Sequence, residues 1–321
     1  MKIFILAVCL ALPFTAQAEL LGRIAELFGS SGCVRLYERK AYSDAAECFH
    51  KAAVEGDERS AFNLGVMIDK GHVPPRKFGT AIGWFKKSAD QGFADAQFNV
   101  AVSYRDGIEV PRSPVRAFQW FEKASASGSV NATSELGLAY QYGAGTPVDE
   151  KKAFSLLKEA AEKGSDTAAY NLGLSYLRGI GVSSDTTEAF KWFLQSADKG
   201  IGEAQLVVAA CYQDGVGVAK NSVKSFAYYE KAAFNGLPDA QYQVAASYFD
   251  GDAVEKNHVK ALAWFMVAAN AGSKEAQRFI VALSHNLTQS QLKEANNLYD
   301  QIKRKLTIRS SGWASLRSPG R

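Results

Sequence analysis

The sequence predicts an all-α fold, a right-handed superhelical solenoid of antiparallel helix pairs. The first observation is a glycine that recurs every 36 residues: Gly56, Gly92, Gly128, Gly164, Gly200, Gly236 and Gly272. The second is the pattern that follows each glycine, with a small residue after four positions and an aliphatic residue after eight. The third is a second glycine after fifteen positions. A constant period of this length, with helical spacing inside it, is typical of stacked helical hairpins.

The first half of each repeat predicts a helix, helix A. Positions 4, 8, 9 and 12 after the glycine share one stripe of a helix with 3.6 residues per turn. In the fourth repeat these positions hold Ala168, Leu172, Gly173 and Tyr176. Helix A should end at the second glycine, here Gly179, because glycine accepts the left-handed conformation at a helix C-terminus.

The second half of each repeat predicts a helix, helix B, rich in aromatic residues. Four of the six repeats carry a Trp-Phe dipeptide: Trp84-Phe85, Trp120-Phe121, Trp192-Phe193 and Trp264-Phe265. A buried aromatic side chain removes about 150–250 Å² from water. At about 25 cal/mol per Å², each contributes a few kcal/mol to stability. We therefore interpret the aromatic stripe as core, not as a cofactor site.

These residues resemble a known family. The clearest copy runs from Ala168 to Val182 and contains Asn171-Leu-Gly followed by Tyr176 and the Gly179-Ile-Gly-Val182 turn. Together with Ala-Phe-x-Trp-Phe in helix B, this pattern is similar to the Sel1-like repeat, a relative of the tetratricopeptide repeat. The resemblance covers residues 57–272 as six 36-residue repeats. It implies a solenoid whose A helices line the concave face, and adaptor work rather than catalysis.

Residues 1–18 have the features of a bacterial signal peptide. Lys2 supplies the positive start, an apolar stretch runs from Ile3 to Phe14, and Ala16-Gln17-Ala18 fits the cleavage pattern. The apolar run is too short to cross a bilayer, which needs about 20 residues. We expect cleavage after Ala18, a periplasmic or secreted protein, and no stable membrane span in the mature chain.

The two ends of the repeat array are atypical. Residues 19–56 predict a degenerate first repeat that acts as an N-terminal cap, with a first helix over Leu20–Phe28. Residues 273–306 predict a half-repeat and a capping helix, which Thr288 and Gln291 open with a capping-box pattern. Residues 307–321 predict a basic, disordered tail.

The cysteines are consistent with export. Cys33 and Cys48 lie symmetrically about a turn near Lys40 and should face each other in an antiparallel hairpin. An oxidising compartment would join them as a disulfide; the alternative is two buried thiols. Cys211 occupies a small-residue position of helix A, so we interpret it as a buried side chain and not as a nucleophile.

Charge and composition exclude several functions. The chain has 37 Lys and Arg against 33 Asp and Glu, and the excess lies in the C-terminal segment that begins at Lys303. A nucleic-acid-binding protein would carry a basic stripe along its fold, so we expect no nucleic acid partner. The four histidines lie in different repeats without metal-ligand spacing, so we expect neither a metal nor another cofactor.

One set of positions predicts a binding surface. The residue seven positions after the repeat glycine is polar in five repeats of six, and we call these five the polar row. It consists of Asn63, Asn99, Glu135, Asn171 and Gln243, with Val207 as the exception. On the concave face such side chains could hydrogen-bond an extended peptide, aided by Asp69, Arg105, Gln141 and Arg178. The alternative is that this polar position serves helix packing or solubility.

The sequence favours a non-enzymatic protein–protein interaction scaffold of the bacterial envelope that binds a protein or peptide on its concave face. One alternative is a secreted protein that binds cell-wall ligands and has weak β-lactamase-type activity, as the resemblance implies for cysteine-rich members. Those members carry a cysteine pair in nearly every repeat, whereas this chain has one. A factor that engages a host component is a further alternative.

Overall fold

The computed structural model describes residues 31–317, and side chains for residues 32–307. Within that range all regular structure is helical, in 17 helices. The predicted signal peptide and the helix predicted over Leu20–Phe28 lie outside the described residues. None of the described helices combines the length and the apolar character needed to cross a membrane. The chain divides into two compact units, one that ends at Lys163 and one that spans Gly164–Ala314.

The first unit contains nine helices. Their bounds are α1 Ser31–Glu38, α2 Tyr42–Val54, α3 Glu58–Asp69, α4 Pro75–Phe78, α5 Ala81–Ala89, α6 Ala94–Asp106, α7 Pro114–Ala126, α8 Val130–Tyr142 and α9 Glu150–Glu162. Here α3, α6 and α8 are A helices, and α5, α7 and α9 are B helices. Each of α6 and α8 packs against the B helix of its own repeat and that of the preceding repeat.

The second unit repeats this arrangement. Its helices are α10 Asp166–Arg178, α11 Thr186–Asp198, α12 Gly202–Asp214, α13 Ser222–Phe234, α14 Pro238–Asp250, α15 His258–Asn270, α16 Lys274–Asn286 and α17 Gln289–Arg317. The A helices are α10, α12, α14 and α16. Again α12 and α14 each pack between two successive B helices. The predicted helix pairs and their stacking are thus confirmed within each unit.

Local signals set the helix boundaries. Glycine ends five of the A helices in the left-handed conformation, as at Gly179 with φ 73°. Every B helix begins with a capping side chain that accepts a hydrogen bond from a first-turn N–H: Thr80, Ser113, Asp149, Asp185, Asn221 and Asn257. Such caps satisfy N–H groups that a helix leaves without partners, each contributing about 1 kcal/mol. Each helix therefore starts and stops in register with the 36-residue period.

The aromatic stripe of helix B is only partly core. The second residue of the dipeptide is buried in all four repeats, and Phe193 and Phe265 are completely enclosed. Trp84, Trp120 and Trp192 are half-buried, whereas Trp264 is buried. Neighbouring helix positions differ by about 100°, so the tryptophan lies at the edge of the interface that encloses the phenylalanine. The predicted core stripe is confirmed for the phenylalanines and Trp264, whereas Trp84 and Trp120 pack against the core from its edge.

The N-terminal end of the described chain matches the prediction, whereas the C-terminal helix is longer than predicted. Cys33 and Cys48 form the predicted disulfide across the α1–α2 hairpin, with their Cα atoms 5.4 Å apart. At the other end α17 continues to Arg317. The helix is therefore longer than the predicted capping helix, which ends near Leu306. The segment contains no proline before Pro319, so no residue that blocks a helix occurs earlier.

Candidate binding surface

The first unit holds three members of the polar row, on successive A helices. Asn63 lies on α3, Asn99 on α6 and Glu135 on α8, and all three side chains are half-buried. Each precedes a buried aliphatic residue of the core, such as Val100 after Asn99. Three positions further along each helix lies a half-buried apolar residue: Val66, Val102 and Leu138. Amide and carboxylate groups therefore lie beside apolar side chains, a composition suited to a peptide backbone and its side chains.

Arg105 is already engaged within the first unit. Its guanidinium contacts Asp106 on the same helix, with Nε–Oδ1 at 2.8 Å, and Glu135 on α8, with Nη1–Oε1 at 3.0 Å. Arg105 lowers the pKa of the Asp106 carboxyl through this hydrogen bond. The arginine thus ties α6 to α8, so its charge and that of Glu135 are largely balanced before any partner binds.

Asp69, at the end of α3, has a different environment. Burial raises the pKa of its carboxyl, and the negative charge of Glu109 raises it further. A carboxylate that is desolvated and close to another acid is unfavourable in its charged form. A nearby cation would stabilise the charged form of Asp69. Lys70 lowers the pKa of this carboxyl, but burial and Glu109 raise it by more.

The second unit holds Asn171 on α10 and Gln243 on α14, with Val207 at the same position of α12. All three side chains are half-buried. The Asn171 amide donates to the carbonyl oxygen of Thr167 on its own helix, at 3.0 Å. Each unit thus presents half-buried side chains at the same position of its A helices.

Sequence reasoning missed a set of buried glutamines between repeats. Gln97, Gln205 and Gln241 each donate from Nε2 to the carbonyl oxygen of an alanine near the end of the preceding B helix, at 3.1–3.2 Å. All three side chains are at least nine-tenths buried. The signal was present, since glutamine recurs five positions after three of the repeat glycines.

The described side chains offer little catalytic chemistry. Burial raises the pKa of the Cys211 thiol to about 11, so the thiol is protonated at neutral pH. A thiol acts as a nucleophile only as the thiolate. Among residues with described side chains, no group of three or more His, Cys, Asp or Glu could hold a metal ion.

Comparison with known proteins identifies the repeat. The model of the Sel1 repeat matches six times, over residues 59–93, 94–129, 130–165, 167–201, 202–236 and 238–273. No curated protein that was compared matches the chain. Sel1 repeat proteins are generally protein-interaction scaffolds, and the repeat is generally a non-catalytic fold.

The solved structures that resemble this one include two repeat proteins. One is a protective antigen present in uropathogenic Escherichia coli strains that displays an SLR fold, with 28% identity and a TM-score of 0.76. The alignment covers 94% of this chain but 66% of the antigen, so this chain spans just under two thirds of it. The other is a Sel1 repeat protein from Oxalobacter formigenes, with 31% identity, a TM-score of 0.65, and coverage of 74% and 94%. From the six repeats and these structures, the chain belongs to the Sel1 repeat family.

Proposed function

We propose that this protein is a non-enzymatic adaptor of the bacterial envelope that binds a segment of a partner protein on the face formed by its A helices. The observation that carries the proposal is Asn99, whose half-buried amide has no hydrogen-bond partner among the described residues. It lies between core and solvent, beside the half-buried Val102. A peptide backbone could supply the hydrogen bonds that the amide lacks, while its side chains cover the valine.

The location is part of the same proposal. The features of residues 1–18 support export, and the Cys33–Cys48 disulfide is favoured in an oxidising compartment. The related E. coli protein is a protective antigen, which supports a position accessible from outside the cell. Fractionation of cells that express the full chain tests this: a mature protein that begins at Glu19 should appear in the periplasm or medium, and an uncleaved cytoplasmic protein would contradict it.

The binding proposal is tested by crosslinking in the native envelope followed by mass spectrometry. One reproducible protein partner is expected, and Asn99→Ala and Asn171→Ala should weaken its capture. Asn296→Ala is a matched control for Asn171→Ala. The Asn296 amide donates to the carbonyl oxygen four residues earlier at 2.9 Å, as the Asn171 amide does, but on α17. Equal capture by all variants would overturn the assignment of the A-helix face.

The alternative is binding of cell-wall ligands with weak β-lactamase-type activity. A nitrocefin assay on the purified protein separates the two functions. Under the adaptor proposal, hydrolysis should equal that of a heat-unfolded sample. Turnover above that background, retained by Asn99→Ala, would favour the enzymatic alternative.

A further inference from the structure

Two A helices of the second unit carry only negative charge. Glu203 and Asp214 lie on α12, Asp239 and Asp250 lie on α14, and neither helix contains Lys or Arg. All four side chains are exposed. Among the described residues, no ammonium or guanidinium group lies within 4.0 Å of any of the four. In the first unit, by contrast, Asp106 is paired with an arginine.

Local helix stability explains two of these acids but not the others. Glu203 and Asp239 lie in the first turn, where the helix dipole favours a negative charge. Asp214 and Asp250 are the last residues of their helices, where the dipole disfavours it. Lys220 and Lys256 pass over the adjoining turn glycines without reaching either aspartate. Residues that act against local stability often mark a functional surface.

The four acids border a strip of half-buried, uncharged side chains. On each helix the acids are eleven residues apart, which brings them to the same face and separates them by about 16 Å. Between them lie Val207 and Ala210 on α12, and Gln243 and Ala246 on α14, all half-buried. Val207 replaces the polar row on α12, whereas Gln243 keeps it on α14. A peptide segment about 10–12 Å wide would fit between the two acidic margins.

We propose that α12 and α14 bind a basic peptide segment, with Lys or Arg side chains against Asp214, Asp250, Glu203 and Asp239 and small or aliphatic side chains on the strip between them. This proposal rests on the proposed adaptor function and names the chemistry of the partner. The negative charge of the four acids attracts the cationic side chains of the peptide. The small side chains of Ala210 and Ala246 allow the peptide backbone to approach the two helices closely. Because the ion pairs are exposed, the affinity falls as salt concentration rises.

The test uses fluorescence anisotropy on the purified full chain. The probe is a labelled peptide of about 18 residues with the repeat Lys-Ala-Ala, and the comparison peptide has Glu in place of Lys. The double variant Asp214→Asn, Asp250→Asn should bind the Lys peptide about three- to tenfold more weakly, as expected for the loss of two exposed ion pairs. It should also unfold at a higher temperature, which shows that lost binding is not lost folding.

The matched control is Glu122→Gln with Glu230→Gln, which changes the net charge equally but on the B helices α7 and α13. The control should bind the Lys peptide as the wild type does. Equal weakening in both double variants, or equal binding of the Glu peptide, would overturn the proposal. Sedimentation of the protein alone adds another outcome. If the protein self-associates and the Asp variants abolish this, the basic C-terminal segment of a second copy occupies the surface. That result would overturn the proposal that a different protein supplies the basic segment.

Capture of the native partner separates this inference from the adaptor proposal. Release of the partner by the Asp214 and Asp250 changes supports a basic segment. If Asn99→Ala and Asn171→Ala release it while the Asp changes do not, the adaptor function stands and the basic partner is rejected. If neither set of variants releases it, the A-helix face is not the binding site, and both proposals fail.

Discussion

The carboxylate of Glu109 accepts a hydrogen bond from the backbone N–H of Ile82, with Oε2 and N 2.7 Å apart. Ile82 is the second residue of α5, so its N–H is one that the helix itself leaves without a partner. Glu109 has a φ of 56°, in the left-handed region, and later repeats place Gly145 and Gly217 at this position. The carboxylate therefore caps the helix of the preceding repeat and offsets the cost of a non-glycine residue in this conformation.

We predict that Glu109→Ala destabilises the first unit by about 1–2 kcal/mol, because it removes a charge-assisted hydrogen bond and keeps the strained φ. Glu109→Gly loses the same bond but relieves about 1 kcal/mol of strain, so it should cost less. Urea unfolding of the two variants measures the difference. An alanine variant as stable as the wild type would show that the hydrogen bond contributes nothing.

The raised pKa of Asp69 predicts a pH-dependent effect of Asp69→Asn. Burial, with a further contribution from Glu109, raises the folded-state pKa above its ordinary value. The stabilisation from the protonated form is therefore fully present below the unfolded pKa, about 3.9, and is lost as pH rises through the folded pKa. At pH 7 the charged carboxylate destabilises the fold, so Asp69→Asn should raise stability by up to about 0.5 kcal/mol.

Thermal unfolding at pH 7 and near pH 3 checks this prediction. The variant should melt above the wild type at pH 7, and the difference should shrink near pH 3, where Asp69 is protonated in both states. In the Glu109→Gln background the benefit of Asp69→Asn should be smaller, since one source of the raised pKa is gone. The same benefit at both pH values would contradict the explanation.

The disulfide predicts a loss of stability on reduction. Cys33 and Cys48 are 15 residues apart, and closing a loop of that length stabilises a fold by about 3 kcal/mol in the chain-entropy model. Cys33→Ala with Cys48→Ala, or reduction of the wild type, should lower the free energy of unfolding by about that amount, as measured in urea. Reductant should not affect the double variant further, because Cys211, the cysteine that remains among the described residues, is not disulfide-bonded. A larger effect of reductant on the double variant than on the wild type would refute this account.

The repeat architecture was predictable because its signals are local. The 36-residue glycine period and the helix-ending glycines each depend on residues close in sequence. The Cys33–Cys48 pair follows from the same kind of information, since the two lie in one hairpin. Helix geometry alone is enough to derive these features from the sequence.

The missed features depend on contacts between repeats. The Arg105–Glu135 ion pair and the Glu109 cap join residues about 30 positions apart, and no single-helix pattern indicates them. The polar row was predicted as a set of positions and the structure places them on A helices, while their role in binding stays a prediction.

The buried glutamines Gln205 and Gln241 are equivalent in position but not in hydrogen bonding. Gln205 Nε2 donates to the Ala197 carbonyl oxygen, and its Oε1 accepts from the Asn235 amide at 2.8 Å. Gln241 makes the first of these bonds to Ala233, but its Oε1 is buried with no partner among the described residues. A buried acceptor without a partner costs roughly 1–3 kcal/mol of desolvation.

Replacement by methionine, which keeps the volume and removes the polar atoms, should separate these two cases. Gln241→Met loses one hydrogen bond but also removes the unpaired Oε1, so the free energy of unfolding should change by less than about 1 kcal/mol. Gln205→Met loses two bonds and deprives the Asn235 amide of an acceptor, and should cost about 1 kcal/mol more than Gln241→Met. In an Asn235→Ala background that difference should disappear, because Gln205 then has the same unpaired oxygen as Gln241. Equal losses for the two methionine variants in the wild-type background would show that the Asn235–Gln205 bond contributes no stability between these repeats.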